Sequence, residues 1–282
     1  MLLVTCANGK TGKSIILELE KRKIDYAALV KSNDSFNSLK KLGVKNIIVS
    51  DLSNLEDLKK KLKLISSIYF ISPNFSNNDS LFLSNIISIL KEKEKKKLIF
   101  HSVIHPQVKK LPHHWSKLQL EKKIINLNFP WVIIQPTMYM QNILGQSDLI
   151  KKTNELIMPI PLKRKLMMVD LSDVAEVAVD ACFKKSFDYG IFELSSDYLN
   201  IEEQANILSK VLNLKITAVS ISISDSMKKL QIPFSGNYGK STYRKMFNYY
   251  SNYGLRGNSK ILKMLLGRKP TTFFDFAEKT FK

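Results

Sequence analysis

Short apolar runs alternate with amphipathic stretches through the first 140 residues. The runs Leu2–Thr5, Tyr26–Val30, Asn46–Val49, Ser67–Ile71, Lys97–His101 and Trp131–Gln135 are too brief for core helices. They read as strands buried on both faces. Between them, apolar residues recur at helical spacing over Gly12–Lys21, Ser35–Leu42, Leu55–Leu62, Asp79–Lys91 and Ser116–Asn126. Ser53, with Glu56 three residues on, is a predicted N-cap for the third helix, and Asn78-Asp79 marks the start of the fourth. This strand–helix alternation predicts a parallel α/β sheet.

After about residue 140 the alternation weakens. Ile157–Pro161 is an extended, Pro-interrupted segment. A helix is expected over Val174–Cys182, capped by Ser172 or Asp173. Gly190–Leu194 reads as a strand, Ile201–Leu212 as a helix and Lys215–Ile221 as a strand. From Pro233 to Gly267 the chain is rich in aromatics, Gly and Asn and reads as irregular or helical lid material. No internal repeat and no low-complexity linker appears.

One local pattern adds chemistry. Leu3-Val4-Thr5-Cys6-Ala7-Asn8-Gly9-Lys10-Thr11-Gly12 sets a glycine-punctuated turn between the first strand and first helix. A strand, a tight turn and a helix N-terminus make a pyrophosphate site, because backbone N–H groups and the positive helix end converge there. The spacing G-x-x-G-x-x-G would place glycine at 6, 9 and 12, and position 6 is Cys. The second strand ends Leu29-Val30-Lys31, with no acid before Asp34. A cation there suits a 2′-phosphate better than a 2′-hydroxyl, and Lys10 adds a second charge, so NADP(H) is favoured and NAD(H) is the other option. We therefore expect a nucleotide-binding domain over 1–150 and a smaller substrate or lid lobe over 151–282 packed on it, parts of which return to the sheet.

Bulk properties narrow the setting. The 282 residues carry 44% apolar side chains and a formal charge of +19. The lysines are spread along the chain, and Ile, Asn and Lys are over-used together while Ala, Gly and Arg are scarce. That pattern is a compositional drift giving a solvated basic surface, and it argues against a nucleic-acid face. No apolar stretch approaches the roughly 18 residues of a spanning helix, so no membrane partner is expected. Two distant cysteines, Cys6 and Cys182, point to a reducing, cytoplasmic setting rather than a disulfide framework.

Taken in order, several segments resemble the NmrA-like family of the atypical short-chain dehydrogenase/reductase superfamily. Thr5–Gly12 resembles its T-G-A-x-G-x-x-G turn except at Cys6, and Leu29-Val30-Lys31 its cofactor-selecting L-V-R. Asp51-Leu52 resembles the step that reaches the adenine, and Ser72-Pro73 the ribose-contacting loop. His101-Ser102-Val103 resembles S-S-V. His114-Trp115-Ser116-Lys117, with Glu121, resembles H-x-x-K-x-x-x-E. Gln135-Pro136 through Asn142 resembles R-P-x-x-F-M-E-N, and Asp173-Val174-Ala175 its late D-V-A. The resemblance implies a Rossmann-type doubly wound parallel sheet with a smaller C-terminal α+β lobe, bound NADP(H), and a cleft between them. The implied cofactor residues are Thr5, Ala7, Asn8, Gly9, Lys10, Thr11, Gly12, Lys31, Asp51, Ser72, Pro73, Ser102, Lys117 and Pro136.

Relatives in that superfamily use Ser, Tyr and Lys, with Tyr four residues before Lys. Here Lys117 and Ser102 occupy two of those slots and His113 takes the place of the tyrosine. All four histidines, at 101, 105, 113 and 114, fall within one short window with no Cys, Asp or Glu and no metal-ligand spacing. Lys117 or a histidine is then the candidate proton donor, with catalytic roles for Lys117, His113 and Ser102. His114, Met138, Tyr139 and Asn142 are candidates for the substrate pocket. Tyr238, Tyr243, Phe247, Tyr249, Tyr250 and Tyr253 read either as a wall for a planar substrate or as packing of the lobe. The leading reading is an NADPH-dependent reductase of a small carbonyl, enone or quinone. The alternatives are a non-catalytic NADP(H) sensor acting on a regulatory protein partner, and a sugar-nucleotide epimerase-like enzyme. A homodimer is a further partner option.

Overall fold

The computed structural model describes residues 1–74, 76–230, 234 and 236–282. In its first half the elements are β1 (Leu2–Val4), α1 (Lys10–Lys21), β2 (Tyr26–Val30), α2 (Asn33–Lys41), β3 (Ile47–Val49), α3 (Leu55–Lys61), β4 (Ser67–Phe70), α4 (Asp79–Lys91), β5 (Lys97–His101), α5 (Pro112–Ile124) and β6 (Trp131–Pro136). There follow β7 (Met138–Tyr139), a 3-10 turn over Met140–Gln146, α6 (Ser147–Thr153), β8 (Glu155–Met158), β9 (Leu166–Val169), α7 (Leu171–Phe183), β10 (Gly190–Leu194), β11 (Tyr198–Leu199), α8 (Ile201–Leu212), β12 (Thr217–Ser220), α9 (Ile223–Lys229), α10 (Gly236–Tyr253), α11 (Ser259–Leu266) and α12 (Phe273–Phe281).

The main sheet has seven strands in the order β10-β6-β5-β4-β1-β2-β3, with β1 between β2 and β4 and its pairs to both parallel. Strand order reverses at β1, which is where open α/β sheets bind ligands beyond their carboxyl ends. One face buries Leu3, Ile68, Phe70, Leu98, Phe100 and Ile133 against Leu58 of α3, Leu83 and Ile86 of α4, and Leu120 and Ile124 of α5. The alternate positions Leu2, Val4, Ala28, Val30, Ile99 and Val132 are buried too, which explains runs without polar interruption. On that second face Arg22, closing α1, binds Asp180 of α7 at 2.7 Å.

The chain divides into two compact units. The first comprises 1–103, 116–135 and 175–192; the second 104–115, 136–174 and 193–282. The second unit holds a three-stranded sheet, β11-β9-β7, and a parallel pair, β12-β8. One of its apolar clusters joins α8 to α12 through Ala205, Leu208, Phe273 and Phe276. Another gathers Ile104, Leu111, Leu166, Tyr250 and Leu255. Among the described residues no helix is long and apolar enough to cross a membrane.

Some local expectations are corrected. Asn54, not Ser53, caps α3 by accepting from the Asp57 N–H, because Ser53 donates its own hydroxyl to Asp51. Helix α7 begins at Leu171, and Asp170 rather than Ser172 or Asp173 accepts from the first turn, taking the Ser172 N–H at 2.6 Å. Asp173 is instead buried, binding Arg268 and the Thr271 backbone. Of the two options for Pro233–Gly267, irregular or helical, the described residues take the helical one, as α10 and α11, and Pro233 lies outside the described residues.

Candidate active site

Thr5 ends β1 by bridging to the neighbouring strand. Its hydroxyl donates to the Ile71 carbonyl at 2.7 Å and accepts the Ile71 N–H at 2.8 Å. Cys6 then turns the chain with φ +48°, the left-handed region that a glycine enters without strain. The turn closes with the Gly9 N–H on the Cys6 carbonyl at 3.0 Å. Gly12 sits against that closed loop, and a Cβ there would lie 2.5 Å from the Cys6 oxygen and 2.7 Å from Ala7 Cα. Gly9 is the N-cap of α1 and supplies no side chain to cap it. Asn8 ties the turn to α2, donating to Ser35 at 3.3 Å and accepting from Ser38 at 3.0 Å. Partial burial lowers the Lys10 pKa.

Beside this turn lies a row of polar groups that continues the apolar face of the sheet. Because side chains alternate, Ile68 and Phe70 lead to Ser72, Leu98 and Phe100 to Ser102, and Trp131 and Ile133 to Gln135. Facing them, one turn apart on α5, are Lys117 and Glu121. The Lys117 ammonium donates to Ser72 Oγ and, at 2.9 Å, to Asp79 Oδ2 at the start of α4. Both side chains of this ion pair are nearly buried, 5% and 7% exposed. Glu121 accepts from the Ser102 hydroxyl and, at 2.9 and 3.0 Å, from the Gln135 amide. Burial raises the Glu121 pKa against the pull of those two donors. Asp79 Oδ1 is buried and has no hydrogen-bond partner among the described residues.

The turn and the row are electrostatically joined. Burial pushes the Cys6 thiol up to about 12, with Lys117 lowering and Asp79 raising it, so both charges lie within reach of the turn. On the other sheet face Tyr69 Oη pairs with His101 Nδ1 at 2.7 Å. Burial, assisted by the Lys117 charge, holds His101 down to about 3, so it is neutral at pH 7.

At the opposite side of the turn, Lys31 Nζ reaches Asp51 Oδ2 at 2.9 Å, with the lysine 81% and the aspartate 35% exposed. Asp51 is held to about 2, first by the Ser53 N–H, then by the Ser53 hydroxyl and Lys31. Pro73 follows Ser72 and is exposed.

The remaining predicted residues belong to the second unit. Helix α5 starts at Pro112, a residue suited to a first helical position, so His113 and His114 lie in its first turn and not in a loop. His114 is buried. Its Nδ1–H donates to the Ile104 carbonyl at 2.7 Å, so its Nε2 accepts from Tyr250 Oη at 3.1 Å. Burial lowers it to about 4. With both nitrogens taken, His114 packs the unit and has none to offer a substrate. His113 is half-buried and meets the His114 ring edge-on. The Pro136 carbonyl accepts from Ile104 N–H at 3.0 Å. Met138 packs on both apolar clusters, Tyr139 is half-buried and Asn142 is exposed. Of the aromatic series, Tyr243 and Tyr250 are core residues linked through Phe247, whose ring centroid is 4.5 Å from that of Tyr243. Tyr253 is exposed, with Lys110 over its ring at 5.5 Å.

Sequence reading missed Asp79 and the pairing of Gln135 with Glu121. Asp79 carried only the signal of a helix start, and its partner is 38 residues away. The assembled site can hold a diphosphate on backbone donors and set a carboxylate-bound ammonium beside it. An orphaned buried carboxylate oxygen and a turn too close for a Cβ at Gly12 both fit a bound dinucleotide.

An NAD(P)H azoreductase from Xenophilus azovorans is 21% identical, the match covering 99% of this chain and 97% of the relative. The solved triphenylmethane reductase of Citrobacter sp., complexed with NADP(H), superposes with a TM-score of 0.82 at 19% identity over 99% of both chains. The NADPH-dependent quinone oxidoreductase of Escherichia coli, complexed with NADPH, gives 0.81 at 19% identity over 100% of both. The sequence matches the NmrA-like family over residues 1–277, and the chain belongs to that family.

Proposed function

We propose that this protein is an NADPH-dependent reductase of small, planar, electron-poor acceptors such as quinones, enones or related dyes. The observation that carries the reading is the placement of Lys117, ion-paired and buried, within electrostatic reach of the Cys6–Gly12 turn. The full-length likeness to an azoreductase and the fold shared with quinone and triphenylmethane reductases support it. When bound, the dihydronicotinamide supplies a hydride. The chain's own residues do the rest. The backbone of 5–12 and the α1 N-terminus hold the pyrophosphate. Lys31 and Lys10 favour the 2′-phosphate. The Lys117 ammonium, fixed by Asp79 and Ser72, donates to the acceptor oxygen or nitrogen on which negative charge gathers. It gives that atom a proton and is reprotonated from water. Burial keeps His101 and His114 neutral, which removes them as acids at pH 7.

The test is NADPH oxidation against a panel of quinones, enones, aldehydes and azo and triphenylmethane dyes, after a fluorescence titration that establishes binding. At least one planar acceptor should turn over. Lys117→Met, with its fold checked by circular dichroism, should lose a hundredfold or more in kcat, on the order of a general-acid contribution. Tight NADPH binding with no turnover against any acceptor would instead support a sensor.

A further inference from the structure

We propose that Glu121 is a positioning residue whose own proton decides whether the Ser102 hydroxyl accepts from the substrate or donates to it. The inference rests on the reading of this protein as a reductase. Ser102 follows β5, and its backbone is fixed by the Ser102 N–H on the Ile134 carbonyl at 2.8 Å. Its hydroxyl donates to Glu121 Oε1. A serine has one hydroxyl hydrogen, and an ionised carboxylate can only accept. While Glu121 is charged, that hydrogen is committed and Ser102 offers a ligand only lone pairs.

Glu121 is buried, and among the described residues none of the groups that bind it is charged. Ser102 reaches it from the end of β5, and the Gln135 amide, from β6, spans both oxygens at 2.9 and 3.0 Å. Gln135 holds the place of the Arg in the R-P step that this segment resembles, so a neutral amide stands where a cation would balance the carboxylate. Lys117, one turn earlier on the same helix, is held by Asp79 and Ser72. A buried carboxylate without a counter-charge takes up a proton more readily than one in water, and the Glu121 pKa is raised accordingly. The proton comes from solvent. Once on Oε1 it is donated to Ser102 Oγ, across the same pair of oxygens, and the Ser102 hydrogen is released to another acceptor. No heavy atom needs to move. A quinone or enone oxygen, or an azo nitrogen, brings lone pairs and needs a donor. Protonated Glu121 thus gives the site a second donor in addition to Lys117, whereas ionised Glu121 sets lone pair against lone pair.

The experiment follows NADPH oxidation with a quinone or enone that the protein reduces, from neutral pH down into the ordinary carboxylate range, for wild type, Glu121→Gln and Ser102→Ala. In wild type kcat/KM should rise about tenfold as the pH falls and Glu121 takes up its proton, the scale of one hydrogen bond to a developing charge. Glu121→Gln cannot ionise, and its amide N–H donates to Ser102 as the protonated acid does, so it should show the high value at every pH. Ser102→Ala should lose about tenfold at low pH and little at neutral pH. It leaves Glu121 its Gln135 bonds, so it tests the same point if Glu121→Gln does not fold, and circular dichroism at each pH checks both variants. Infrared difference spectra across the same range need no turnover. They should show a carboxylic-acid carbonyl band in wild type that Glu121→Gln removes. A Glu121→Gln profile parallel to that of wild type, a Ser102→Ala loss equal at every pH, or the absence of a Glu121-dependent acid band overturns the switch and leaves the reductase reading intact. Failure of the wild type to reduce any acceptor overturns the reductase reading, and the role of Glu121 with it.

Discussion

Gly12→Ala is the sharpest probe of the glycine turn and of the phosphate site proposed there, because opposing effects of calculable size meet at that position. Alanine is the better helix former by about 1 kcal/mol. Its Cβ, however, would lie 2.5 Å from the Cys6 carbonyl oxygen and 2.7 Å from Ala7 Cα and O. These distances are about 1 Å short of ordinary van der Waals separation. All three atoms are backbone, held by the Gly9-to-Cys6 and Ala7-to-Leu29 hydrogen bonds of 3.0 and 3.1 Å, so no side chain can swing aside. Overpacking of this kind costs about 2–3 kcal/mol. The net loss is then about 1–2 kcal/mol, a Tm drop of several degrees for a chain of this size. The shift needed also draws the α1 N–H groups off the anion, and one lost charge-assisted bond weakens NADPH tenfold or more. Gly9→Ala is the internal control. Its Cβ would meet only the Cys6 oxygen, at 3.3 Å, so stability should stay within about 0.5 kcal/mol of wild type. Scanning fluorimetry and NADPH titration of both variants decide the matter. If Gly12→Ala matches wild type, or Gly9→Ala is the worse of the two, the close-packing argument fails.

Two further outcomes follow from charges in the structure. Lys31 and Asp51 are too exposed for their pair to add more than about 1 kcal/mol of stability, but Asp51 competes with a 2′-phosphate for the lysine. Asp51→Asn should tighten NADPH several-fold relative to NADH and Lys31→Glu should do the reverse; equal changes for both cofactors would remove Lys31 as the selector. His101 and His114 are held to about 3 and about 4 in the fold, whereas in the unfolded chain each protonates near its ordinary value. Lowering the pH from 7 to 5 therefore protonates the unfolded state alone and costs about 2 kcal/mol for each histidine. The raised Glu121 acts in the opposite sense as its proton is taken up at lower pH. The urea midpoint should fall across that interval, and a flat profile would show that these rings are not buried neutral.

What was legible in the sequence was local. The bounds of β2, β5, α4, β10 and α8 follow from unbroken apolar runs, from apolar positions at helical spacing and, for α4, from the start signal Asn78-Asp79. The glycine turn could be read because its strand, loop and helix are contiguous. The two-residue strands β7 and β11 left no pattern, since so short a run has no period. In the site, Lys117, Ser102, Ser72 and Glu121 could be named singly, but Asp79 and the pairings among them could not. Ser72, Asp79 and Glu121 meet Lys117 and Ser102 only because parallel strands bring distant chain ends to one edge. The buried histidines misled for a related reason. Clustering in sequence suggested shared chemistry, yet His101 faces Tyr69 in one unit while His114 serves Tyr250 in the other.

Cys182 in α7 is buried and Cys6 in the turn is half-buried, and desolvation pushes both thiols up to about 12. At pH 7 such a thiol is ionised only about once in 10⁵, against a few per cent for a free cysteine. Quinones and enones arylate or alkylate proteins through thiolates. On the proposed function the enzyme would meet such electrophiles, and both thiols, the one at the strained turn included, would be poor targets for them. The protein should outlast, over many turnovers, a relative with an exposed thiol in the same place.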